Sequence, residues 1–322
     1  MRRKRRRISI GLALAAALCA CALLSAVGAG SADAAVEPSS TLFYSTADFS
    51  FRGKLWSVHA DGSGRRLLRS GVVTGPSGVA AVLARDRKRI LCLCRKDEID
   101  SMRLDGSRMR AIGRRPKGTK YDTVELAANG EPIWVDERHD RLVMERPDRS
   151  HRRVVGTPRP GEYLESFAVS PAVDKVAFAA GSCGHGECWV NVWIQAIGGG
   201  SKKLAYRTAG ERDVGGLQWS GDGRALAFVD FPEEEKGVEP ADPNEHLLVY
   251  SGGKATEVPV AAPASPFPPF FSPDRSTLAV GGKRAGRIYA VAAAGGPPRL
   301  ITDTGCRGGC LFGPSVFGWL RG

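Results

Sequence analysis

The sequence is poor in the residues and motifs that build most catalytic centres. It contains only five histidines, and they are His59, His139, His151, His185 and His246. Because these stand at non-equivalent places in the repeat described below, the sequence predicts no histidine cluster for metal binding or proton transfer. The Gly-x-Ser-x-Gly motif is also missing, which excludes the serine peptidases that carry this nucleophile turn. We therefore predict no catalytic residue, no metal site and no cofactor.

Acidic residues are the minority among the charged residues. The chain has 46 Lys and Arg against 34 Asp and Glu, a net charge of +12. Residues 1–34 hold six basic residues, all within 2–7, and one acid, Asp33, so residues 35–322 keep 40 basic and 33 acidic residues, a net charge of +7. The remaining cations are dispersed in pairs such as Arg65-Arg66 and Lys202-Lys203. Dispersed charge without interleaved aromatic residues excludes the known nucleic-acid-binding modules.

Long apolar runs occur only near the N-terminus. Basic residues 2–7 precede an apolar run over 8–30, and Ala32-Asp33-Ala34 provides a small-x-small cleavage site. We predict a secretory signal peptide over 1–34 and an exported domain over 35–322, secreted or in the cell envelope. Two alternatives stay open. The apolar run is long enough for a retained membrane anchor, and residues 18–21 resemble a lipobox that would lipidate Cys21.

A short pattern recurs five times along the exported part of the chain. It consists of an apolar residue, a turn of Asp, Asn, Gly or Pro, and an alternating apolar stretch, as in residues 219–228 (WSGDGRALAF). The copies begin at Leu83, Leu126, Val169, Trp219 and Phe271, with spacings of 43, 43, 50 and 52 residues. Two apolar stretches around a tight polar turn are typical of a β-hairpin.

A second pattern follows each hairpin and completes the repeat. Residues 55–62 (LWSVHADG) align without gaps on residues 99–106 (IDSMRLDG), and a basic or polar pair and another apolar stretch come next. Each repeat therefore contains four short strands, which we label A to D. This is the content of one blade of a β-propeller, and it predicts an all-β chain. A single blade exposes both faces of its sheet, so it must pack against its neighbours.

The two ends of the chain complement each other. The first repeat lacks strand A, because residues 39–44 match only strand B of the later copies. The last repeat ends near Ile301, yet Phe317 follows Phe271 by 46 residues, where another strand A is due. We predict that the C-terminal strand joins blade 1 and closes a six-bladed β-propeller of four-stranded blades. This ring would be a single domain and a monomer.

The repeat segments WSGDGRALAF and FSPDRSTLAV, followed by IYAVAAAGGPPRLIT, resemble the WD40-like repeats of TolB-like propellers. The clear copies cover residues 83–302, and weaker ones extend to nearly the whole exported part. The resemblance implies a six-bladed TolB-like fold. It implies no activity, because the shared Ser, Pro, Asp and Gly residues are those that tight turns require.

Six cysteines lie beyond the predicted signal peptide. We predict the disulfides Cys183–Cys188 and Cys306–Cys310, because both pairs lie in loops and the predicted compartment is oxidising. A zinc site that uses Cys183, His185 and Cys188 is an alternative, and its fourth ligand would have to come from elsewhere.

Cys92 and Cys94 lie two residues apart on one predicted strand and point to the same face. We predict that they are buried free thiols, because residues i and i+2 of a regular strand are too far apart to bond easily.

The blade topology predicts which face of the ring is used. The A–B and C–D turns share one face and are short here, whereas the longer B–C and D–A connections share the other face. The elaborated segments on that second face are 182–188, 231–246 and 303–310. We predict binding residues Glu233, Glu234 and Glu235 in the longest of them, since loops on a rigid scaffold carry most binding sites.

Two classes of function remain. We predict a non-catalytic binding module that recognises an unidentified protein or cell-envelope partner, with no nucleic acid. Membrane contact would come only from a retained leader or a lipid anchor. The alternative is a small-molecule hydrolase or lyase that uses the central channel. The lack of a recognisable catalytic constellation in the sequence favours the binding module.

Overall fold

A computed structural model describes residues 37, 39–47, 52–73, 80–95, 97–117, 119, 124–184, 187–232, 245–265, 268–282, 286–304 and 314–322. These residues form 24 β-strands in six antiparallel sheets of four strands. They include no helix that could cross a membrane. The all-β prediction is confirmed.

The strands follow one another at short intervals along the chain. In order they are β1 (Thr41–Ala47), β2 (Arg52–His59), β3 (Arg66–Val73), β4 (Ala81–Leu83), β5 (Arg89–Arg95), β6 (Glu98–Arg103), β7 (Arg110–Arg114), β8 (Val124–Leu126), β9 (Pro132–Asp136), β10 (Arg141–Glu145), β11 (Arg152–Gly156), β12 (Tyr163–Val169), β13 (Lys175–Gly184), β14 (Glu187–Ala196), β15 (Lys203–Arg207), β16 (Arg212–Trp219), β17 (Ala225–Pro232), β18 (His246–Ser251), β19 (Lys254–Val258), β20 (Phe270–Phe271), β21 (Thr277–Gly281), β22 (Arg287–Ala292), β23 (Arg299–Asp303) and β24 (Ser315–Leu320).

The sheets are the six blades of a ring. Blades 2 to 6 each use four consecutive strands, starting at β4, β8, β12, β16 and β20, whereas blade 1 has the order β24-β1-β2-β3. The C-terminal strand β24 pairs with β1, with Leu42 opposite Trp319. The predicted closure by the C-terminal strand is therefore confirmed. Every blade therefore has a neighbouring blade on each side.

In three of the five copies of the motif, a serine stabilises the A–B turn. In blade 5 the Ser220 hydroxyl donates to Asp222 Oδ1 at 2.7 Å and accepts a hydrogen bond from the Ala225 amide at 2.9 Å. Ser272 makes the equivalent pair of bonds in blade 6. These bonds give polar groups of the turn hydrogen-bond partners within the turn itself. The motif thus specifies the hairpin and carries no chemistry of its own.

The hydrophobic core is divided into six clusters of described residues, one between each pair of neighbouring blades. Between blades 3 and 4, for example, Phe178 and Trp193 pack against Ile133 and Leu142, and none of the four is more than 2% exposed. Each blade contributes side chains from both of its faces. Stability therefore depends on neighbouring blades being present together.

The structure corrects the prediction for Cys92 and Cys94, which are joined in a disulfide with their Cα atoms 5.1 Å apart. A regular strand would place these Cα atoms about 6.6 Å apart. The pairing of β5 with β6 shifts register between Cys92 and Arg95. This irregularity contracts the strand and brings the two thiols within bonding range. Both residues are buried, as predicted.

The predicted disulfide between Cys183 and Cys188 is confirmed. Its two sulfur atoms are bonded to each other, so they are not thiolate ligands of the alternative zinc site. Other predictions fall outside the described residues and stay predictions: the signal peptide 1–34, the Cys306–Cys310 disulfide, and the binding residues Glu233, Glu234 and Glu235.

Candidate functional site

A long hairpin of blade 4 stands on the face of the B–C and D–A connections. Its strands β13 and β14 have ten residues each, more than any other strand in the described part of the chain. Cys183 lies directly opposite Cys188 in their register, and the disulfide fixes the end of the hairpin. We call residues 175–196 the blade-4 hairpin. Because its end is fixed, it would lose little conformational entropy on binding a partner.

Polar side chains fix the base of the blade-4 hairpin on the side of blade 3. Asn191 is buried, donates from Nδ2 to Glu162 Oε1 at 2.9 Å, and accepts a hydrogen bond from Arg207 Nε at 2.9 Å. The Arg207 guanidinium lies 5.1 Å from the centre of the Trp189 ring. Arg207 is exposed, so the network presents a cation held on an aromatic ring to solvent.

Tyr163 lies on the other side of the hairpin base. It is 49% exposed and stands opposite Gly181 in the register of β12 with β13. A Cβ atom on Gly181 would lie only 2.6 Å from Tyr163 Cζ. The glycine therefore lets the ring lie directly against the backbone of the hairpin. A half-exposed aromatic ring held in this way is a suitable anchor for a binding partner.

Asp230 connects blade 5 to blade 4 on the same face. It is 3% exposed and contacts the Tyr206 hydroxyl of blade 4 and the Arg212 guanidinium of blade 5. Burial, together with the hydrogen bond to Asp230, raises the pKa of Tyr206 above its usual value. The phenol therefore stays protonated and donates to the carboxylate. These three side chains hold the two blades together beside the hairpin.

The central channel has a cavity on the opposite face, that of the A–B turns. Its volume is about 300 Å³, and residues of all six blades line it. Its wall is mostly apolar, with Trp219 and Phe271 among the lining residues, and Arg85 and Arg87 also line it. Arg87 of blade 2 donates to the carbonyl oxygen of Gly221 in blade 5 at 3.1 Å, so its side chain crosses the channel. The cavity could hold a small apolar group beside cations.

Glu125 lies on β8, the innermost strand of blade 3, and so on the wall of the channel. Its side chain has access to solvent, yet the ring of blades surrounds it. Although Glu125 is exposed to the channel, desolvation by the surrounding blades raises its pKa to about 8. Within the described residues no ion pair or hydrogen bond to this carboxylate is found.

A polar groove of about 490 Å³ lies along blade 3. Asp136 in its wall contacts His139, Arg141 and Arg152. Burial acts to raise the pKa of Asp136, but the hydrogen bonds from His139 and Arg141 outweigh it and lower the pKa. Asp136 is thus surrounded by basic side chains. Across the described ranges, no group of three or more His, Cys, Asp or Glu side chains is placed to hold a metal ion.

Solved structures resemble this arrangement of blades over most of its length. The structure of a nidogen/laminin complex matches with a TM-score of 0.53 and 12% identity, over 87% of this chain and 98% of that chain. A putative TolB from Agrobacterium tumefaciens matches with a TM-score of 0.51 and 11% identity, over 88% of this chain and 98% of that one. The chain has a TolB-like propeller fold.

An oligogalacturonate lyase from Vibrio parahaemolyticus is also similar to this TolB-like propeller, with a TM-score of 0.50 and 12% identity over 81% of this chain and 79% of that chain. Identities this low show the fold alone. No protein-family model matches the sequence, and no curated protein matches it.

Sequence reasoning found part of the candidate site in the TolB-like propeller. It placed Cys183 and Cys188 on the elaborated face, where the structure has them. It missed Tyr163, Arg207 and Glu125. The strand register of blade 4 places Tyr163 opposite Gly181 and Arg207 opposite Asn191. For Arg207, a signal was available in Trp189. This partly exposed aromatic residue follows Cys188 directly and contacts the Arg207 guanidinium.

Proposed function

We propose that this TolB-like propeller is a non-catalytic binding module that recognises a protein partner with the face of its B–C and D–A connections. The blade-4 hairpin carries the proposal. It is fixed by a disulfide and flanked by half-exposed Tyr163 and by Arg207 held on Trp189. Tyrosine, tryptophan and arginine are the residues that contribute most often to the binding energy of protein interfaces.

We further propose that the protein works outside the cytoplasm, secreted or in the cell envelope. Two disulfides are typical of proteins that fold in an oxidising compartment. The sequence of residues 1–34, with its basic start, apolar run and small-x-small site, supports export.

The acidic segment 231–246 belongs to the proposed binding face by its place in the topology. Pro232 ends β17 and His246 begins β18, so the segment is the B–C connection of blade 5, the blade that follows the hairpin. In our proposal Glu233, Glu234 and Glu235 attract a basic partner and speed its association.

Site-specific photo-crosslinking tests the proposal. A photoreactive phenylalanine derivative replaces Tyr163 in one protein, and in a matched control it replaces Lys254, which is exposed on the opposite face. We expect the exported protein to crosslink to one envelope or secreted protein from position 163 and not from position 254. Crosslinks to that protein from position 254 alone would contradict the proposed face.

A second candidate function, a small-molecule hydrolase or lyase in the channel, is favoured by Glu125. A carboxyl group with a pKa of about 8 is protonated near neutral pH and can act as a general acid. Hydrolysis or elimination assays with glycosides, esters and uronate oligosaccharides test it. Turnover that disappears in Glu125→Gln would favour the enzyme over the binding module, whereas turnover unchanged in that variant would assign it to another site or a contaminant.

A further inference from the structure

A ring of cations surrounds the face opposite the blade-4 hairpin. Each outermost strand begins, directly after its C–D turn, with an arginine or a lysine. These residues are Arg66, Arg110, Arg152, Lys203, Lys254 and Arg299. All six are exposed. We call them the rim cations. Their repetition in six blades of different sequence places positive charge all around one face of the ring.

Half of the rim cations have side chains free for a ligand. Arg152 contacts Asp136, Arg66 donates to the Asp105 carbonyl oxygen, and Lys203 lies over the ring of Tyr250. By contrast, the side chains of Arg110, Lys254 and Arg299 have no partner among the described residues.

Exposed apolar side chains accompany the rim cations. Leu67, Val154, Leu204 and Leu300 are 44 to 45% exposed, and each follows the rim cation of its blade by one or two residues. Among the described residues, the exposed large apolar side chains are these four and Tyr163. Paired basic and apolar side chains are typical of surfaces that rest on lipid headgroups.

Acidic residues in the C–D turns at the rim are unevenly distributed, whereas the acids of the A–B turns on this face, Asp86, Asp174, Asp222 and Asp274, lie nearer the channel. The C–D turns of blades 1 to 3 contain Asp61, Asp105 and Asp148, each of which accepts a hydrogen bond from the amide of a serine two residues later. These carboxylates offset part of the positive charge there. The C–D turns of blades 4 to 6, all of them described, contain glycines and no acidic residue. The rim, as distinct from the centre of this face, is therefore most cationic around Lys203, Lys254 and Arg299.

The polypeptide enters the propeller on this same face. The Ser40 carbonyl oxygen accepts a hydrogen bond from the amide of Ala60 at 2.8 Å, and Ala60 belongs to the C–D turn of blade 1. Ser40, near the start of the described chain, therefore lies on the side of the rim cations. The blade-4 hairpin lies on the opposite face of the ring.

In contrast to the sequence-based prediction of membrane contact only through a leader or a lipid, we propose that the face of the rim cations itself docks on an anionic lipid bilayer. The cations would contact headgroup phosphates, and the four apolar side chains would lie among the headgroups. Each cation near such a surface strengthens binding by roughly fivefold, an effect that salt weakens. A soluble anionic polymer would use the cations but gain little from the leucines. A third possibility is that the cations only prevent the exposed edge strands of two molecules from pairing. In that case neither the bilayer nor the polymer would bind.

Vesicle sedimentation with the exported protein tests the proposal. The vesicles contain phosphatidylcholine alone or phosphatidylcholine with phosphatidylglycerol, and dextran sulfate serves as the soluble polyanion. The first variant changes Arg110, Lys254 and Arg299 to Gln, and the second changes Leu67, Leu204 and Leu300 to Ser. A control variant changes Arg114, Lys117 and Arg138 to Gln. These three residues are also exposed and carry the same total charge, but they lie at the D–A and B–C connections of blades 2 and 3.

We expect binding to the anionic vesicles that high salt reverses, with a loss of at least about tenfold in the rim-cation variant. The leucine variant should also bind these vesicles more weakly, while the control variant binds like the wild type. Backbone amide hydrogen exchange in the C–D turns should slow with anionic vesicles and not with phosphatidylcholine vesicles. This measurement is valid whether or not the leader is retained.

Two results would overturn the proposal. Binding to dextran sulfate together with unchanged vesicle binding by the leucine variant would identify a polymer site instead. Self-association of the rim-cation variant without any change in vesicle binding would show that the cations protect the sheet edges.

Discussion

Trp319 and Ser40 lie 279 residues apart in the sequence, and the Trp319 Nε1 donates a hydrogen bond to the Ser40 Oγ at 3.0 Å. The bond joins the two ends of the ring within blade 1. Trp319 is also 4% exposed and packs with residues of blade 6. Closure of the propeller therefore depends on this C-terminal side chain in two ways.

Trp319→Ala should lower the free energy of unfolding by about 3 to 5 kcal/mol, because it opens a cavity and leaves Ser40 without its donor. Deletion of residues 314–322 should be more destabilising still and should broaden the single unfolding transition. Circular dichroism during urea denaturation measures both effects. Arg321→Ala, at an exposed position beside the same strand, is the control. Unchanged melting of the truncated protein would show that β24 does not close the ring.

Peptide mapping of the exported protein without reduction should recover Cys92–Cys94 and Cys183–Cys188 as disulfide-linked peptides, since the structure joins both pairs. The sequence predicts the same for Cys306–Cys310. Stoichiometric zinc, or full alkylation of Cys183 and Cys188 before reduction, would contradict the fixed hairpin on which the binding site depends.

The sequence predicted the ring well because each blade is specified locally. In three of the five copies the turn serine, such as Ser220 or Ser272, bonds within its own hairpin, and all five copies have a polar turn between apolar stretches. The hairpins and their spacing were therefore visible without a structure. The Cys92–Cys94 disulfide was not predictable in this way. It depends on a register shift against β6, and strand irregularities leave no fixed residue pattern.

The candidate site was less predictable than the ring. Arg207 and Asn191 meet because β14 and β15 pair in one particular register, with a shift between Val192 and Trp193. Glu125 gains its unusual environment only when six inner strands enclose it. Neither relationship is contained in a local motif, because both depend on contacts between distant parts of the chain.

The stability of the protein should depend on pH through Glu125. Its pKa is about 8 in the folded chain and 4.5 when unperturbed. Between these values the unfolded chain releases a proton that the folded chain keeps, so this group makes stability fall as pH rises through that window. Glu125→Gln lacks the effect, and its melting temperature should rise relative to the wild type across the window and level off above it. If the difference in Tm between Glu125→Gln and the wild type is constant with pH, the folded chain does not raise the pKa of Glu125.

The buried pair of Arg212 and Asp230 should matter more to stability than an exposed pair. Arg212→Ala leaves the Asp230 carboxylate buried without its cation, which should cost about 3 to 5 kcal/mol. Arg89→Ala removes the partner of Asp86 in a pair whose side chains are 43% and 39% exposed, and should cost less than about 1 kcal/mol. Chemical denaturation of both variants measures the contrast. Equal losses would mean that Asp230 does not depend on Arg212 for its burial.

The most direct measurement of the binding function is the Kd for the partner captured through position 163. Tyr163→Ala and Arg207→Ala should each weaken binding by about thirtyfold or more, the loss typical of a residue at the centre of an interface. Replacing Glu233, Glu234 and Glu235 with serine should slow association and reduce its salt dependence. Lys254→Ala should leave the Kd unchanged. If these variants bind like the wild type, and changes in the Asp61-Gly62 turn abolish binding without unfolding the protein, the binding face is the opposite one.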